Sequence, residues 1–412
     1  MLFTRTPPAI AVLLLLSSAS AAQPPRTELP LARLPSPPGP HLAKIKALSA
    51  DSWLDLGAPA PDPVWGQALG RSYSPRMVYL PKQCAAFLIG QGPHGGMKKD
   101  GIYQDEAFAY DINAHKWICI YPGSDVNKLT LKLDANGFEV NDQGKHVPVA
   151  IMGHGHNLLT YDCDLNKVVL IPLGNTWWPD RFSRRKQWLD DRANSWLRNP
   201  KYPWFYDLTT GHWEHRFMEG EGPGPRQFLS VAEYLPSRKQ TFYLYDGCKG
   251  WLYDYAANKW TATRNPTEPL KGYDWNGCLD TKRERVLVGA GKDLLAYEAK
   301  TGDWKKLASP PEPATFGNSS GWTVTYDAAS DVLMLGVFPL GDARKSPAKG
   351  NLYFYDCATD KWDEKPVPID SAINGSVNAF YDPELNAHFF HVAHDGRPDG
   401  RIFVFRHKIA AK

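Results

Sequence analysis

The sequence predicts an all-β protein that consists of six equivalent four-stranded units arranged as a β-propeller. Three observations lead to this fold class. A hairpin motif with a fixed Tyr-to-Trp spacing recurs along the chain, and a second type of hairpin, without the Trp, alternates with it. A segment near the N-terminus resembles the strand that the last unit lacks. Repeats decide the architecture of a chain and are therefore considered first.

The first motif is a Tyr followed by Asp or Glu, a short polar stretch, and a Trp at constant spacing. It starts at Tyr110, Tyr206, Tyr253, Tyr297 and Tyr355. Each copy follows an apolar, aromatic run typical of a β-strand, and its polar residues are typical of a turn. The Trp opens the returning strand, where its ring can contact the Tyr across the hairpin. The motif therefore predicts a repeated β-hairpin.

The second motif is an apolar strand, a short polar turn and another apolar strand. Its copies lie, some of them only loosely matched, around Tyr79, Tyr161, Tyr234, Asp280, Tyr326 and Tyr381. One hairpin of each kind makes a four-stranded unit, so these copies predict six units. The last unit has no Trp hairpin, but "DSWLDLGAP" at 51–59 resembles "GDWKKLASP" at 302–310. We expect the strand from Trp53 to complete the last unit and leave no open sheet edge.

These motifs resemble the blades of Kelch-type β-propellers, and the resemblance covers residues 49–408. "SPRM" from Ser74 and "GPRQF" from Gly224 also match the family pattern before inner strands, whereas the family's glycine pair is degraded here. The resemblance implies a six-bladed Kelch-type propeller of the exported type. Some Kelch propellers are galactose oxidase-like copper radical enzymes, and an exported six-bladed sugar epimerase is nearer in architecture. No catalytic residue of either can be matched to this sequence.

The composition describes an ordinary globular protein with ample core, since 43% of its 412 residues are hydrophobic and 22% are charged. The formal net charge of +3 gives no indication of a nucleic-acid binder. Residues 1–22 are typical of a secretory signal peptide because one basic residue precedes a short apolar run and small residues. The run is too short to span a membrane. We expect an exported protein, periplasmic or extracellular, and a monomer.

Residues 23–48 are rich in proline and predict an extended tether without a core of its own, which leaves 49–412 as the propeller. An exported protein can form disulfides, and six cysteines allow fifteen pairings. Cys248 and Cys278 are expected in adjacent blades near the same rim of the propeller. We expect these two residues to approach each other.

The long insertions of the chain all fall on one rim of the predicted propeller. This loop rim carries the turns between the second and third strands and the links between blades. The opposite hairpin rim carries the short turns. The insertions are 91–105, 122–155, 172–203 and 339–350. Long loops in compact domains are often functional, so the loop rim is the predicted working face. The segment 122–155 further predicts a β-hairpin with turns at "ANG" and "DQG".

The insertion 172–203 contains the predicted ligand-binding residues Trp177, Trp178, Arg181 and Trp188. A short amphipathic helix is expected in this segment. In one interpretation the Trp side chains clamp the helix onto the propeller and the charges are solvated. In the other, one or two Trp rings form a platform on which sugars stack, while Arg binds hydroxyl or carboxylate groups.

Three histidines complete the predicted ligand-binding set. His154 and His156 lie where an inner strand begins, and alternate residues of a strand point to one face, so this pair could share a metal ion. The sequence does not identify a third ligand. His394 is expected at the same loop rim. Each His could equally be an ordinary core or surface residue. No cofactor is predicted, with a metal ion at His154 and His156 as the open alternative.

The function that the sequence favours is a binding module for a glycan or a protein, acting through the loop rim. The alternative is a carbohydrate-active enzyme, oxidase- or epimerase-like, that is assisted by a metal ion at His154 and His156. A structural protein of the envelope or matrix is a third reading, and it would show an apolar patch in place of a pocket.

Overall fold

The computed structural model describes residues 29–71, 74, 76–89, 102–103, 106–125, 132–147, 157–172, 201–224, 230–245, 248–271, 275–317, 321–338, 350–367 and 375–408. These residues form six antiparallel four-stranded sheets, or blades, whose strands are lettered a to d from the axis outwards. The predicted six-bladed propeller is confirmed. The inner strands of successive blades contact one another and close into a ring.

In blades 1 to 5 strands a to d follow the order of the chain, whereas strand d of blade 6 comes from the N-terminal part. Blades 1 to 3 consist of Val78–Leu80, Ala85–Ile89, Ala107–Asp111 and Lys116–Tyr121; Leu159–Asp162, Lys167–Leu170, Trp204–Asp207 and His212–His215; and Ser230–Leu235, Gln240–Tyr245, Lys249–Asp254 and Lys259–Ala262. Blades 4 to 6 consist of Asn276–Asp280, Arg285–Ala290, Asp293–Glu298 and Trp304–Leu307; Trp322–Asp327, Val332–Val337, Asn351–Asp356 and Lys361–Pro366; and Gly375–Asp382, Ala387–His394, Arg401–Arg406 and Ser52–Gly57.

The N-terminal strand Ser52–Gly57 closes blade 6, as the sequence predicted. It pairs antiparallel with Arg401–Arg406, so that Trp53 lies opposite Phe405. The Trp53 ring packs against Phe405 at 4.9 Å and Phe390 at 5.3 Å between ring centroids. Ring closure therefore depends on aromatic packing as well as on strand pairing.

The Tyr–Trp motif forms the outer c–d hairpin of blades 1 to 5. In each copy the Tyr and the Trp are paired across the two strands, with ring centroids from 5.0 Å (Tyr206 and Trp213) to 5.5 Å (Tyr110 and Trp117) apart. The acidic residue shapes the turn: Asp207 Oδ1 accepts N–H bonds from the next residues of its turn at 2.8 and 3.0 Å. The predicted hairpin and its Tyr–Trp contact are confirmed.

Inner and outer hairpins use the same turn. In both, the Tyr hydroxyl donates to a side chain whose residue has a left-handed backbone at the end of the turn. Examples are Tyr253 with Asn258 at 2.6 Å in an outer hairpin and Tyr161 with Asn166 at 2.8 Å in an inner one. The φ angles of these asparagines are 49° and 55°, a region that Asn tolerates better than most residues. The two repeats of the sequence are thus one turn with and without the Trp.

The described part of the proline-rich N-terminal segment, predicted as a tether, packs against the propeller. Residues His41–Lys46 form a short helix whose Leu42 and Ile45 are buried in the core of blades 1 and 6. Ser36 is buried and donates to Asp111 at 2.5 Å. The helix buries two apolar side chains, which gives the segment a core contact that proline content alone does not reveal.

The predicted hairpin within 122–155 is confirmed in its described part. Lys132–Leu133 pairs with Glu139–Val140, and glycines with positive φ occupy the "ANG" and "DQG" turns. Phe138 stacks on His215, with ring centroids 3.9 Å apart. This excursion therefore covers the outer strand of blade 2, which would otherwise be an open edge.

The six cysteines are all thiols. The expected pair is not bonded: Cys248 accepts the Leu270 N–H at 3.1 Å, whereas Cys278 lines the central axis. In the described part of the chain, no helix is long and apolar enough to cross a membrane.

Candidate ligand-binding site

The described residues place a cavity of about 310 Å³ at the centre of the propeller. Its walls are the inner strands of all six blades, and it reaches the exposed turn residues Cys163, Pro236 and Pro383. The cavity therefore opens on the hairpin rim. This is the rim opposite to the one that carries the long insertions.

Five tyrosines dominate the wall of the cavity. They are Tyr79, Tyr161, Tyr234, Tyr326 and Tyr381. Each is the second-to-last residue of its inner strand, and Leu279 has this position in blade 4. Because the blades are related by rotation about the axis, equivalent positions of the repeat meet at one end of the channel. The inner repeat thus creates an aromatic ring that no local sequence window could show.

The hydroxyl groups of these tyrosines are held by the turns. Tyr326 donates to Asp331 and Tyr381 to Asn386, each at 2.8 Å, and Tyr234 donates to Asp164 of the neighbouring blade. Bonded hydroxyls fix the orientation of the rings. The cavity therefore offers rigid aromatic surfaces.

The same tyrosines remain protonated at physiological pH. Burial, with the nearby Cys163 and Asp162, raises the pKa of Tyr161 to about 12. Burial and carboxylates also raise the pKa of the other four, for example Tyr79 through Asp382. These side chains can stack and hydrogen-bond, but they are poor general bases in this environment.

An ion pair between Arg76 and Glu233 forms the floor of the cavity. The Arg76 guanidinium also donates to the carbonyl oxygens of Leu159 at 3.0 Å and Ala232 at 3.1 Å, and to that of Gly277. These oxygens belong to the inner strands of blades 2, 3 and 4. Arg76 comes from blade 1, so one side chain joins four blades across the axis and closes the inner end of the cavity.

The titratable groups of the floor have shifted pKa values. Burial raises the pKa of Glu233, although the attraction of Arg76 opposes this shift. Burial also raises the pKa of Cys278 well above that of an ordinary thiol, with Glu233 adding to the shift. A thiol of this kind is protonated and a weak nucleophile. Packing and polar contacts, more than acid–base chemistry, characterise this floor.

One cluster in the described residues has the composition of a metal site. Donor atoms of Asp280, Asp331 and Cys357 lie within 4.8 Å of one another on the hairpin rim. Arg283 binds both carboxylates at 2.7–3.0 Å, and Arg285 binds Asp280 at 2.9 Å. The two guanidinium groups already supply the positive charge that these carboxylates attract. The cluster is best explained as an ion-pair network that joins blades 4 and 5.

Of the residues predicted from the sequence, only His394 lies within the described part of the chain. It ends strand b of blade 6 at the loop rim, and its Nδ1 is 2.7 Å from Asp399 Oδ2 in an exposed pair. The others, Trp177, Trp178, Arg181, Trp188, His154 and His156, lie outside the described residues. The predicted sugar-stacking platform and the predicted metal site at His154 and His156 therefore stay predictions.

Sequence reasoning missed the cavity at the hairpin rim. Its signal was present in the second repeat, where Tyr recurs at one position of the inner strand. Arg76 was noticed only as part of "SPRM", and Glu233 only within a strand. Neither residue recurs in the other blades, which marks them as additions to the repeat.

The geometry defines the protein as a six-bladed β-propeller with an aromatic central cavity. Comparison with known proteins does not narrow this further: no protein-family model matches the chain. No curated protein has significant similarity to it either.

Proposed function

We propose that this protein is a binding module whose ligand is a carbohydrate, and that the tyrosine-lined cavity receives one sugar residue. The observation that carries the proposal is the ring of five tyrosines around a cavity of about 310 Å³. Binding sites for small ligands usually enclose about 300–1,000 Å³, so this cavity suits a single sugar unit or the end of a chain.

The chemistry of the wall supports a sugar. The C–H faces of a pyranose ring stack on aromatic side chains, and its hydroxyl groups need polar partners nearby. The polar side chains among the tyrosines are Thr160, Thr325 and Glu233, and a ligand would share them with the protein groups that they already bind. Rigid rings lower the entropic cost of binding because little side-chain freedom is lost.

The Kelch-type family, export through the signal peptide, and a monomeric state remain part of this proposal. So does a second contact at the loop rim through Trp177, Trp178, Arg181 and Trp188. The two surfaces are compatible, since a propeller can present one ligand surface on each rim. Because the cavity is on the hairpin rim, binding there does not depend on the insertions.

The enzymatic alternative rests on His154, His156 and a metal ion. Metal analysis of the purified protein tests it directly. A stoichiometric metal that is lost in His154→Ala would favour a metal-assisted enzyme, and its absence would remove that version. The described part of the cavity favours binding, because the ionisable groups of its floor form a closed pair.

The proposal is tested by thermal shift and calorimetry against neutral, acidic and basic mono- and oligosaccharides. A ligand at about one hundred times its dissociation constant adds roughly 2.7 kcal/mol to the free energy of unfolding, which a melting curve resolves. We expect Tyr161→Leu to abolish binding and Tyr161→Phe, which keeps the ring, to preserve most of it.

His394→Ala is the matched control, because His394 is exposed on the opposite rim. Loss of binding in Tyr161→Leu but not in His394→Ala would locate the ligand in the cavity. The proposal fails if no sugar shifts the transition, or if the shift is unchanged by substitution of the cavity tyrosines.

A further inference from the structure

We infer that the tyrosine-lined cavity prefers ligands that carry a positively charged amino group, so that an amino sugar binds more tightly than its neutral counterpart. The inference rests on the proposed function, because it names the ligand class of the same cavity. Three features of the cavity lead to it: the aromatic wall, the carboxylates close to that wall, and a floor whose cation is already neutralised.

The aromatic wall favours a cation at the centre of the cavity. The face of a tyrosine ring is electron-rich and attracts an ammonium group within about 6 Å of its centroid. Tyrosines from five blades surround the cavity, and turn side chains such as Asn166 and Asn386 hold their hydroxyl groups. A cation in the cavity would therefore meet several fixed rings at once.

Carboxylates lie close to these tyrosines. In four blades the inner strand ends in an aspartate, and each of the four interacts with the tyrosine of the next blade around the ring. The pairs are Asp382 with Tyr79, Asp162 with Tyr234, Asp280 with Tyr326, and Asp327 with Tyr381. Burial and these carboxylates together raise the pKa of all four tyrosines, so each remains a neutral ring with a carboxylate nearby.

The positive groups nearby neutralise this charge only in part. Asp280 is bound by Arg283 and Arg285, whereas Asp327 faces the Nε2 atom of His388 at 3.7 Å. Arg76 is the only cationic side chain that lines the described cavity, and it is paired with Glu233. At the mouth, the exposed Lys82 is a further cation, and its charge opposes the rise that burial causes in the pKa of the Cys163 thiol.

The carboxylates of blades 2 and 6 are engaged differently. Asp162 accepts N–H bonds from its own turn at 2.9 and 3.0 Å, and Asp382 does the same at 2.9 and 3.0 Å. Burial raises the pKa of both aspartates, and the backbone N–H groups oppose this rise because they stabilise the carboxylate charge without cancelling it. The negative side of the cavity therefore lies at blades 2 and 6.

These aspartates shape the turns of the inner hairpins, and the same turn in an outer hairpin supplies a matched control. Outer hairpins have the same arrangement without a cavity: Asp254 follows Tyr253 and accepts the Ala257 N–H at 2.9 Å. Asp254→Asn and Asp382→Asn therefore make the same chemical change in the same kind of turn. An asparagine keeps the Oδ1 acceptor, so both variants retain the bonds that shape the turn.

The experiment compares four probes by calorimetry at pH 6 and low ionic strength: glucosamine, N-acetylglucosamine, glucose and tetramethylammonium. We expect glucosamine to bind about tenfold or more tightly than the two neutral sugars, in line with the strength of partly desolvated cation–π contacts. The preference should decrease in Asp382→Asn and with added salt, and it should persist in Asp254→Asn.

The outcomes separate this inference from the proposed function. Equal binding of glucosamine and glucose would overturn the cation preference and leave carbohydrate binding intact. Binding of tetramethylammonium without any sugar would overturn the carbohydrate proposal and retain the preference for a cation. If no probe binds, both fail. Equal loss of preference in Asp382→Asn and Asp254→Asn would show that the cavity is not its source.

Discussion

The side chain of Arg76 connects four blades through one planar group. Each carbonyl that it reaches lies on the inner strand of a different blade. A guanidinium has five donors in a fixed fork, and this suits it to bridge several such strands at once. Its pairing with Glu233 places a carboxylate in the same buried space, so each charge depends on the other.

Arg76→Met should destabilise the fold by roughly 3–5 kcal/mol, because it leaves the Glu233 carboxylate buried without its counter-charge. The double variant with Glu233→Gln should recover a large part of this loss. Urea denaturation of both single variants and the double variant measures the coupling. Additive effects would contradict the proposed dependence of one charge on the other.

Two buried histidines predict a loss of stability in mild acid. Burial lowers the pKa of His391 to about 3 and that of His407 to about 4. The unfolded chain binds these protons near pH 6.5, whereas the folded chain resists them. Stability should therefore be complete above about pH 6.5 and decrease as the pH falls towards 4, by up to about 1.4 kcal/mol per pH unit for each histidine.

Denaturation midpoints between pH 7 and pH 4 test this dependence. The slope should be smaller in His407→Phe, because this variant lacks one of the two titrating groups. Its fold should be retained, because Phe can replace the ring that stacks on Phe354 at 4.0 Å between centroids. A variant with an unchanged slope would assign the acid sensitivity to other groups.

At the scale of the elements, the sequence predicted the strand pairs well because one turn is repeated. Tyr, Asp and a final Asn, Asp, Gly or His mark most hairpins, so spacing alone aligned Tyr206 with Trp213. Composition was a poorer guide. Prolines predicted a tether over 23–48, whereas Leu42 and Ile45, spaced for one face of a helix, carried the signal that the segment packs.

The closing strand gives a test with an internal control. Trp53→Ala removes a ring that packs on Phe390 and Phe405, and we expect a loss of about 2–4 kcal/mol. Trp65 is 40% exposed, and Trp65→Ala should change stability by no more than about 0.5 kcal/mol. Chemical denaturation distinguishes them. Equal effects would show that Trp53 has no special part in closure.

At the scale of the whole molecule, the cavity could not be predicted because its wall is assembled from six separate parts of the chain. The repeat marks each tyrosine, but only the blade count and the ring bring Tyr79 and Tyr326 to the same space. The pairing of Glu233 with Arg76 was harder still to predict, because neither residue has a counterpart at the equivalent strand position of another blade. Their pairing becomes visible only in the folded ring.

The thiol state of the molecule is also testable. Without reductant, a thiol reagent should modify six cysteines per chain in denaturant, because all six are thiols. In the native protein the exposed Cys163 should react first, since the other thiols are buried or partly covered. Fewer than six reactive groups after unfolding would reveal a disulfide and contradict this arrangement.

The N-terminal strand pairs with a strand of blade 6, the last blade, and this determines when its contacts can form during synthesis. Arg401 and Asp55 form an ion pair although 346 positions separate them. A ribosome makes Trp53 early, yet its partners Phe390 and Phe405 leave the ribosome almost last. Contacts so distant in sequence form slowly. The emerging chain must therefore carry an unpaired, aromatic strand while five blades are made.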